Sequence, residues 1–336
     1  TVERVNNNGG DGHASFLMSN FTSEYQEFLV VTGPPPSSGS LINFMLNILD
    51  KYDLDVPSDA FDYAQKYHYI FEVLKFGFTH RMALGDQMSP ENVTFVLGEH
   101  ILNRNYAKQL ADFKIEPQTT HPWHHYFFDG YMAEIKDQGT SHISVIDKDR
   151  NAVSLTTTVN HSFGSKLINL ETGIVLNNQM NDFTVDMHKK NEFGIPPSSA
   201  NVIQPRRRPQ SSMAPTILLD KETKLVKMVV GASGGPTILS SIIQVIVSIQ
   251  DFHLDTYNAV NMPRFHVQPP LEHVLMEPGI VKVILDGLKS RGHVFELTKL
   301  LADGHSIGNV QVVRVNSQNI LEAASDGRKH GKPAGY

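Results

Sequence analysis

The chain has 336 residues, 40% of them hydrophobic and 19% charged, with a formal net charge of -6 and no cysteine. That length fits one large domain or two ordinary ones with a real core. The acidic balance argues against a nucleic-acid binder, and the missing thiols exclude disulfide staples, thiol catalysis and thiolate metal sites. No apolar run reaches the roughly 18 residues that a membrane-crossing helix needs. A first residue of Thr1 and the lack of a leader pattern predict a processed chain or a fragment.

Residues 1–12 are polar and rich in Gly and Asn, and read as a loop. Phe28–Thr32 is a short strand, stopped by the three prolines of Gly33-Pro34-Pro35-Pro36-Ser37-Ser38-Gly39-Ser40. The serines then cap a buried helix over Leu41–Leu49. A second helix over Ser58–Ala83 carries Phe61, Ala64, Tyr67, Phe71, Leu74 and Phe78 at helical spacing, which predicts a core stripe. A weaker helix follows over Ile101–Leu110, and residues 114–138 read as a surface linker.

From Thr140 the period changes from helix to strand. Thr140–Asp147 and Ala152–Val159 flank Lys148-Asp149-Arg150-Asn151, a hairpin by its turn chemistry. Ile174–Leu176 is a short strand, and residues 184–209 are a long polar loop. Pro215–Leu219 and Leu225–Val230 make a second hairpin. Gly234-Gly235-Pro236 opens a buried helix reaching Asp251, which takes in the most apolar stretch, Ile238–Ile249. A helix over Gly279–Arg291 and strands over Val310–Val315 and Ile320–Ala323 complete the reading. Hairpins and helices that do not alternate one for one predict an α+β fold of stacked sheet and helix layers.

The chemistry begins at Gly139-Thr140. A threonine freed at its amino end carries both a hydroxyl nucleophile and an amine that can serve as its base. Thr158 and Asn160 sit at the end of the paired strand, where Thr158 can hydrogen-bond the Thr140 hydroxyl. Gln179 and Asp182 follow a strand and can take an ammonium group. The hydroxyls of Ser211 and Ser212 can hold a carboxylate. Gly234 and Gly235 open a helix whose backbone amides can stabilise an oxyanion. Each cluster alone has an ordinary explanation as turn, cap or bend.

Taken together, the strings are specific. They are Thr140-Ser141-His142-Ile143-Ser144-Val145, Phe163-Gly164-Ser165-Lys166, Gly173-Ile174-Val175-Leu176-Asn177-Asn178-Gln179-Met180-Asn181-Asp182-Phe183, Arg208-Pro209-Gln210-Ser211-Ser212-Met213-Ala214-Pro215-Thr216, Gly234-Gly235 and Pro333-Ala334-Gly335-Tyr336. In this order they resemble the γ-glutamyltransferase (glutathione hydrolase) family over the whole of residues 140–336. Upstream, Pro34-Pro35-Pro36-Ser37-Ser38-Gly39 and Leu84-Gly85-Asp86 resemble the end of that family's large subunit. Asn191-Glu192-Phe193-Gly194-Ile195-Pro196-Pro197 and Ser325-Asp326-Gly327-Arg328-Lys329 are most similar to the animal branch.

The resemblance implies an N-terminal-nucleophile hydrolase, an αββα four-layer sandwich made as one precursor. Residues 1–139 would be the C-terminal part of a large subunit and 140–336 the small, catalytic subunit, the two forming one composite domain after self-cleavage at Gly139–Thr140. Thr140 would attack the γ-glutamyl amide of glutathione or a conjugate. Water, an acceptor amino acid or a dipeptide would resolve the γ-glutamyl-enzyme. Thr158 would assist the nucleophile. Asn160, Gln179 and Asp182 would hold the α-amino group and Ser211 and Ser212 the α-carboxylate, while the amides of Gly234 and Gly235 would form the oxyanion hole. No cofactor, metal or nucleic acid is implied, and the location implied is the outer face of the plasma membrane.

The family's large subunit is longer than 139 residues, and its N-terminal part supplies an arginine clamp that this sequence assigns to no arginine. Asn181 and Ser40 stand where many members carry an acid and a glycine. Other readings are an inactive family member and an acylase of the same fold acting on a different amide. His121-Pro122-Trp123-His124-His125 offers a zinc reading against a solvated loop, and Arg206-Arg207-Arg208 a weak nucleic-acid footprint. Asn20, Asn92 and Asn160 head glycosylation sequons, although the site role of Asn160 argues against a glycan there.

Overall fold

The computed structural model describes residues 21–86, 96–127, 139–185, 198–269, 271–298 and 307–335. Its backbone is a six-stranded antiparallel sheet in the order β1-β2-β5-β6-β10-β11. The strands are β1 (Thr22–Tyr25), β2 (Phe28–Thr32), β5 (Thr216–Asp220), β6 (Val226–Ser233), β10 (Asn309–Val315) and β11 (Leu321–Ser325). The sheet therefore interleaves strands from before Thr140 with strands from after it. β2 pairs with β5 through Phe28↔Asp220 to Thr32↔Thr216.

Two helices, α1 (Gly39–Leu49) and, later in the chain, α4 (Thr237–Gln250), cover one face of this sheet, and α2 (Ala60–Arg81) and α3 (Arg104–Phe113) pack against α1. Every residue of α1 is buried, as is every residue of α4 from Thr237 to Ile249. The core joins Leu41, Phe44 and Ile48 of α1 and Ile242 and Ile246 of α4 to Val30, Leu218, Met228, Val230 and Val312 of the sheet. Each such fully buried side chain contributes about 1.5–3 kcal/mol relative to exposure. A helix that is apolar all round has to lie inside the protein.

The opposite face carries a separate hairpin, β3 (Thr140–Ile146) and β4 (Ala152–Thr158), paired from Thr140↔Thr158 to Ile146↔Ala152. It is docked by polar groups. The hydroxyls of Ser144 and Ser154 donate to the carbonyls of Gln311 and Val230, each at 3.1 Å. The His142 ring lies where any Gly231 side chain would be, since a Cβ there would fall 2.2 Å from its Cε1. On the outward face, Ile143, Val145, Val153 and Leu155 are exposed.

A third, small sheet orders β7 (Phe265–His266), β8 (Val274–Met276) and β9 (Phe295–Leu297), with α5 (Thr256–Asn261) and α6 (Lys282–Lys289) nearby in sequence. The α+β layering matches expectation. The differences are local. The third helix starts at Arg104 because Asn103 caps it, its side chain accepting from the amides of Asn105 and Tyr106. Residues 174–176 make only an isolated bridge, Ile168↔Val175. Phe61, assigned to the core stripe, is instead exposed in the first turn of α2. The 114–138 stretch is not all surface, because Tyr126 is buried against Phe76 and donates to Glu72. Residues 1–12, and residues 186–197 of the 184–209 loop, lie outside the described residues.

Candidate active site

The Gly139–Thr140 peptide lies at the mouth of the β3–β4 hairpin, with Thr140 buried. The Thr140 hydroxyl donates to Thr158 Oγ1 at 2.9 Å. The Gly139 carbonyl accepts from the Val159 amide at 3.0 Å and from Thr158 Oγ1 at 3.4 Å. Gly139 donates in turn to the Asn160 carbonyl at 2.9 Å. This crowding requires glycine, as a Cβ would lie 2.4 Å from the carbonyl oxygens of both Asn160 and His161. Donors thus converge on the one carbonyl that precedes the hydroxyl. Charge developing on that oxygen would be met by preset hydrogen bonds.

The amino-binding candidates adjoin this point. Asn160, in the left-handed region at φ 73°, is buried, and its backbone amide donates to Thr158 Oγ1 at 2.9 Å. Asparagine tolerates that backbone better than most residues. Its side chain donates to Asp182 Oδ1 at 3.0 Å, and Gln179 donates to Asp182 Oδ2. Gln179 and Asp182 bracket a 3₁₀ turn, which brings the two side chains together. The three form an acceptor cluster centred on one half-buried carboxylate, the arrangement an ammonium group requires.

Ser211 and Ser212 are held by the proline-rich loop. The Ser211 amide donates to the Pro36 carbonyl at 2.8 Å, and Ser38 Oγ donates to the Ser211 carbonyl at 2.7 Å. Beneath them lies Arg81, the last residue of α2, which sequence reasoning did not single out. Its Nη2 donates to Ser212 Oγ at 3.1 Å, while its buried Nε has no partner among the described residues. Burial lowers the Arg81 guanidinium to about 10, and the Asp182 charge opposes that fall. Arg81 is therefore a cation at any ordinary pH, in contact with Ser212 and stabilised in its charged form by Asp182. Gln210 fixes the extended segment that carries the serines, donating to the Arg81 and Leu84 carbonyls.

Gly234 and Gly235 follow β6 at φ 123° and 60° and lead into α4. A Cβ on Gly234 would fall 2.7 Å from Thr237 Oγ1. The end of β6 is tied to the nucleophile by Lys329, which closes one of the family-like strings but was assigned no role from the sequence. Lys329 Nζ donates to the Thr140 carbonyl and lies 3.2 Å from Ser233 Oγ. The structure thus joins Thr140, Thr158, Asn160, Asp182 and Gln179 through successive hydrogen bonds, and separately joins Arg81 to Ser212, with the Asp182 charge acting on Arg81. It reaches Gly234 and Gly235 through Lys329 and Ser233.

With that geometry in hand, the comparisons are specific. The family model described as gamma-glutamyltranspeptidase matches residues 12–336. The chain belongs to the γ-glutamyltranspeptidase family. It is 34% identical over 310 residues to the glutathione hydrolase proenzyme of Escherichia coli K12, covering 91% of this chain and 50% of that protein. It is 35% identical over 327 residues to glutathione hydrolase 2 of Arabidopsis thaliana, covering 90% and 53%. The chain therefore spans about half the length of these relatives. A mutant γ-glutamyltranspeptidase of Pseudomonas nitroreducens superposes with a TM-score of 0.50 at 37% identity, covering 58% of this chain and 97% of that one. Cephalosporin acylase from Bacillus halodurans aligns over 92% of this chain and 51% of its own with a TM-score of 0.70. At 21% identity that likeness concerns the fold alone, the N-terminal-nucleophile hydrolase fold.

The remaining motifs find other uses within this family fold. His121 and His125 stack at 4.2 Å; His121 faces Glu116 at 3.0 Å, and His125 donates to the Lys114 carbonyl at 2.7 Å. Among the described residues, the ligand-type set with metal-like spacing is instead His68, Glu72 and His293. There Lys75 Nζ already lies 2.9 Å from Glu72 Oε1, and His68 Nδ1 lies 2.8 Å from His293 Nε2. A cation would have to displace that ammonium, so the cluster is a closed hydrogen-bonded network. Arg208 is bound to Asp86, with Nη2–Oδ1 at 3.0 Å, and so does not belong to a free basic patch. Asn160 is buried, while Asn20 and Asn92 lie outside the described residues.

Proposed function

We propose that this chain carries the catalytic centre of a glutathione-hydrolysing γ-glutamyl transferase that matures by cutting itself at Gly139–Thr140. The observation that carries the reading is the junction itself, where the Thr140 hydroxyl bonds Thr158 while Thr158 and the Val159 amide grip the Gly139 carbonyl. In the first reaction Thr140 Oγ attacks the Gly139 carbonyl carbon. The oxygen takes the negative charge against those donors, the C–N bond breaks, and an ester of Gly139 on Thr140 Oγ remains with a free Thr140 amine. Water then releases the Gly139 carboxylate.

In the second reaction the freed amine takes the proton of the Thr140 hydroxyl as it attacks a γ-glutamyl amide. The α-amino group of the substrate rests on Asp182 with Asn160 and Gln179, and its α-carboxylate on Ser211 and Ser212. The amides of Gly234 and Gly235 receive the oxyanion. The amine leaves, and water or an acceptor amino acid or dipeptide resolves the γ-glutamyl ester. By the same family reading, the large and small parts of one precursor stay together, and the enzyme works at the extracellular face of the plasma membrane with glycans on Asn20 and Asn92. γ-Glutamyl release by intact cells, with sensitivity of the mass to glycosidase, checks that placement.

The direct test is release of a chromogenic amine from a γ-glutamyl anilide by the full-length protein and its Thr140→Ala variant. Activity confined to the wild type supports the reading, and full activity in the variant ends it. Preference for a β-lactam side-chain amide over the γ-glutamyl anilide would point to an acylase instead.

A further inference from the structure

We infer that Arg81 is a positioning and specificity-determining residue of this site, one that makes a free carboxylate on the γ-glutamyl substrate a requirement by acting through Ser212. The inference rests on the proposed γ-glutamyl activity and extends it to a group that the sequence patterns did not single out.

Three observations carry it. First, Arg81 is only 6% exposed, yet its guanidinium contacts Ser212, a residue that is itself only half-buried. A buried cation is costly unless it is compensated, and its removal from such a place is felt well beyond its own contacts. Second, the contact has a direction. Arg81 donates to Ser212 Oγ at 3.1 Å, so the serine acts as acceptor toward the arginine and keeps its own hydrogen for a ligand. That hydrogen is then polarised by a full positive charge, which strengthens its bond to an anion. Third, Nε of Arg81 is buried with no hydrogen-bond partner among the described residues. The fork therefore has donor capacity that the protein leaves unused at this point.

Asp182 supplies the complement. Its charge acts on Arg81 while Asn160 and Gln179 hold its two oxygens. The result is a dipolar receptor, with Asp182 for an ammonium group and Arg81 behind Ser212 for a carboxylate. An α-amino acid end group brings both charges in the matching order. A substrate whose carboxylate is masked as an amide leaves the buried cation without its counter-charge, and a site built to pair a group rejects the analogue that lacks it.

The test compares two substrates on the full-length enzyme, a γ-glutamyl anilide and the same compound with its α-carboxylate converted to a carboxamide. Wild type is expected to favour the carboxylate by at least 100-fold in kcat/KM. Arg81→Gln is expected to reduce that preference at least tenfold, chiefly through KM for the carboxylate substrate, with kcat changed less. In a Ser212→Ala background the same replacement should add little, because the two residues act in series. Self-cleavage at Gly139–Thr140 and the melting midpoint report whether the variant is folded. Should Arg81→Gln fail to accumulate, Arg81→Lys decides. It keeps the charge and loses the fork, so a KM raised at least threefold with kcat within twofold supports the inference, and wild-type constants overturn it. An unchanged substrate preference in a folded Arg81→Gln enzyme overturns the role of Arg81 alone. Wild type inactive on both substrates overturns the γ-glutamyl reading and this inference with it.

Discussion

The two faces of the six-stranded sheet are covered in opposite ways. On one face α1 and α4 press wholly buried helices onto Val30, Leu218, Val230 and Val312. On the other, the β3–β4 hairpin turns His142, Ser144, Ser154, Thr156 and Thr158 inward and leaves Ile143, Val145, Val153 and Leu155 outward. The first face is held by area removed from water, and the second by hydroxyls placed on backbone carbonyls. Stability resides on the helical side. The hairpin side holds Thr140 and Thr158 in register, and a polar interface there sets positions rather than supplying bulk free energy.

The largest test of that contrast is chemical. Thr140→Ala should abolish both cleavage and γ-glutamyl release while leaving the helical core, and so the melting midpoint, nearly unchanged. Next comes Gly231→Val on the hairpin side. A Cβ there meets the His142 ring at 2.2 Å, so the variant should pry the hairpin from β6 and lose self-cleavage before it loses helical circular dichroism. On the helical side, Ile246→Ala removes a fully buried side chain and should cost about 2–5 kcal/mol in denaturant unfolding. The matching truncation on the hairpin's outer face, Ile143→Ala, should stay within about 0.5 kcal/mol. Equal costs for the two isoleucines would break the comparison.

Acid sharpens it further. Burial pushes His80 down to about 3, His266 to about 4 and His293 to about 2 on the helical side, and His142 to about 4 beneath the hairpin. The unfolded chain takes up protons that these folded imidazoles refuse, so stability falls as pH drops below the unfolded value of about 6.5. A shift from 6.5 to near 4 corresponds to at most about 3 kcal/mol per group. Asp251, raised to about 7 by burial, works the other way, because the folded state keeps its proton between the unfolded carboxylate value and 7. Four histidines outweigh one aspartate, so the melting midpoint should decline from pH 6.5 toward 4. Asp251→Asn should steepen that decline, since it removes the opposing group.

How much of this was legible follows from the same contrast. The helical side could be read because burial on all sides writes continuous apolar runs, as at Ile238–Ile249. The hairpin could be read as a strand pair from its alternation and turn. Its orientation could not, because a period of two names two faces without saying which is covered. Here the apolar face is the exposed one. Thr140, Asp182 and the serine pair were reached through the family strings, since each residue type alone suits an ordinary turn. The roles of Arg81 and Lys329 were missed for a physical reason. Their positions near Ser212 and Thr140 depend on contacts across 131 and 189 residues, and no local pattern records such a meeting. The short strands β7 and β9 escaped for a similar reason, being two and three residues long.

The central claim is that Thr140 cuts the chain in front of itself and then acts as nucleophile. Intact mass of the purified full-length protein tests it most directly. The account predicts two chains in wild type, divided between Gly139 and Thr140, and a single uncut chain for Thr140→Ala. A cut at the same bond in the alanine variant would contradict it.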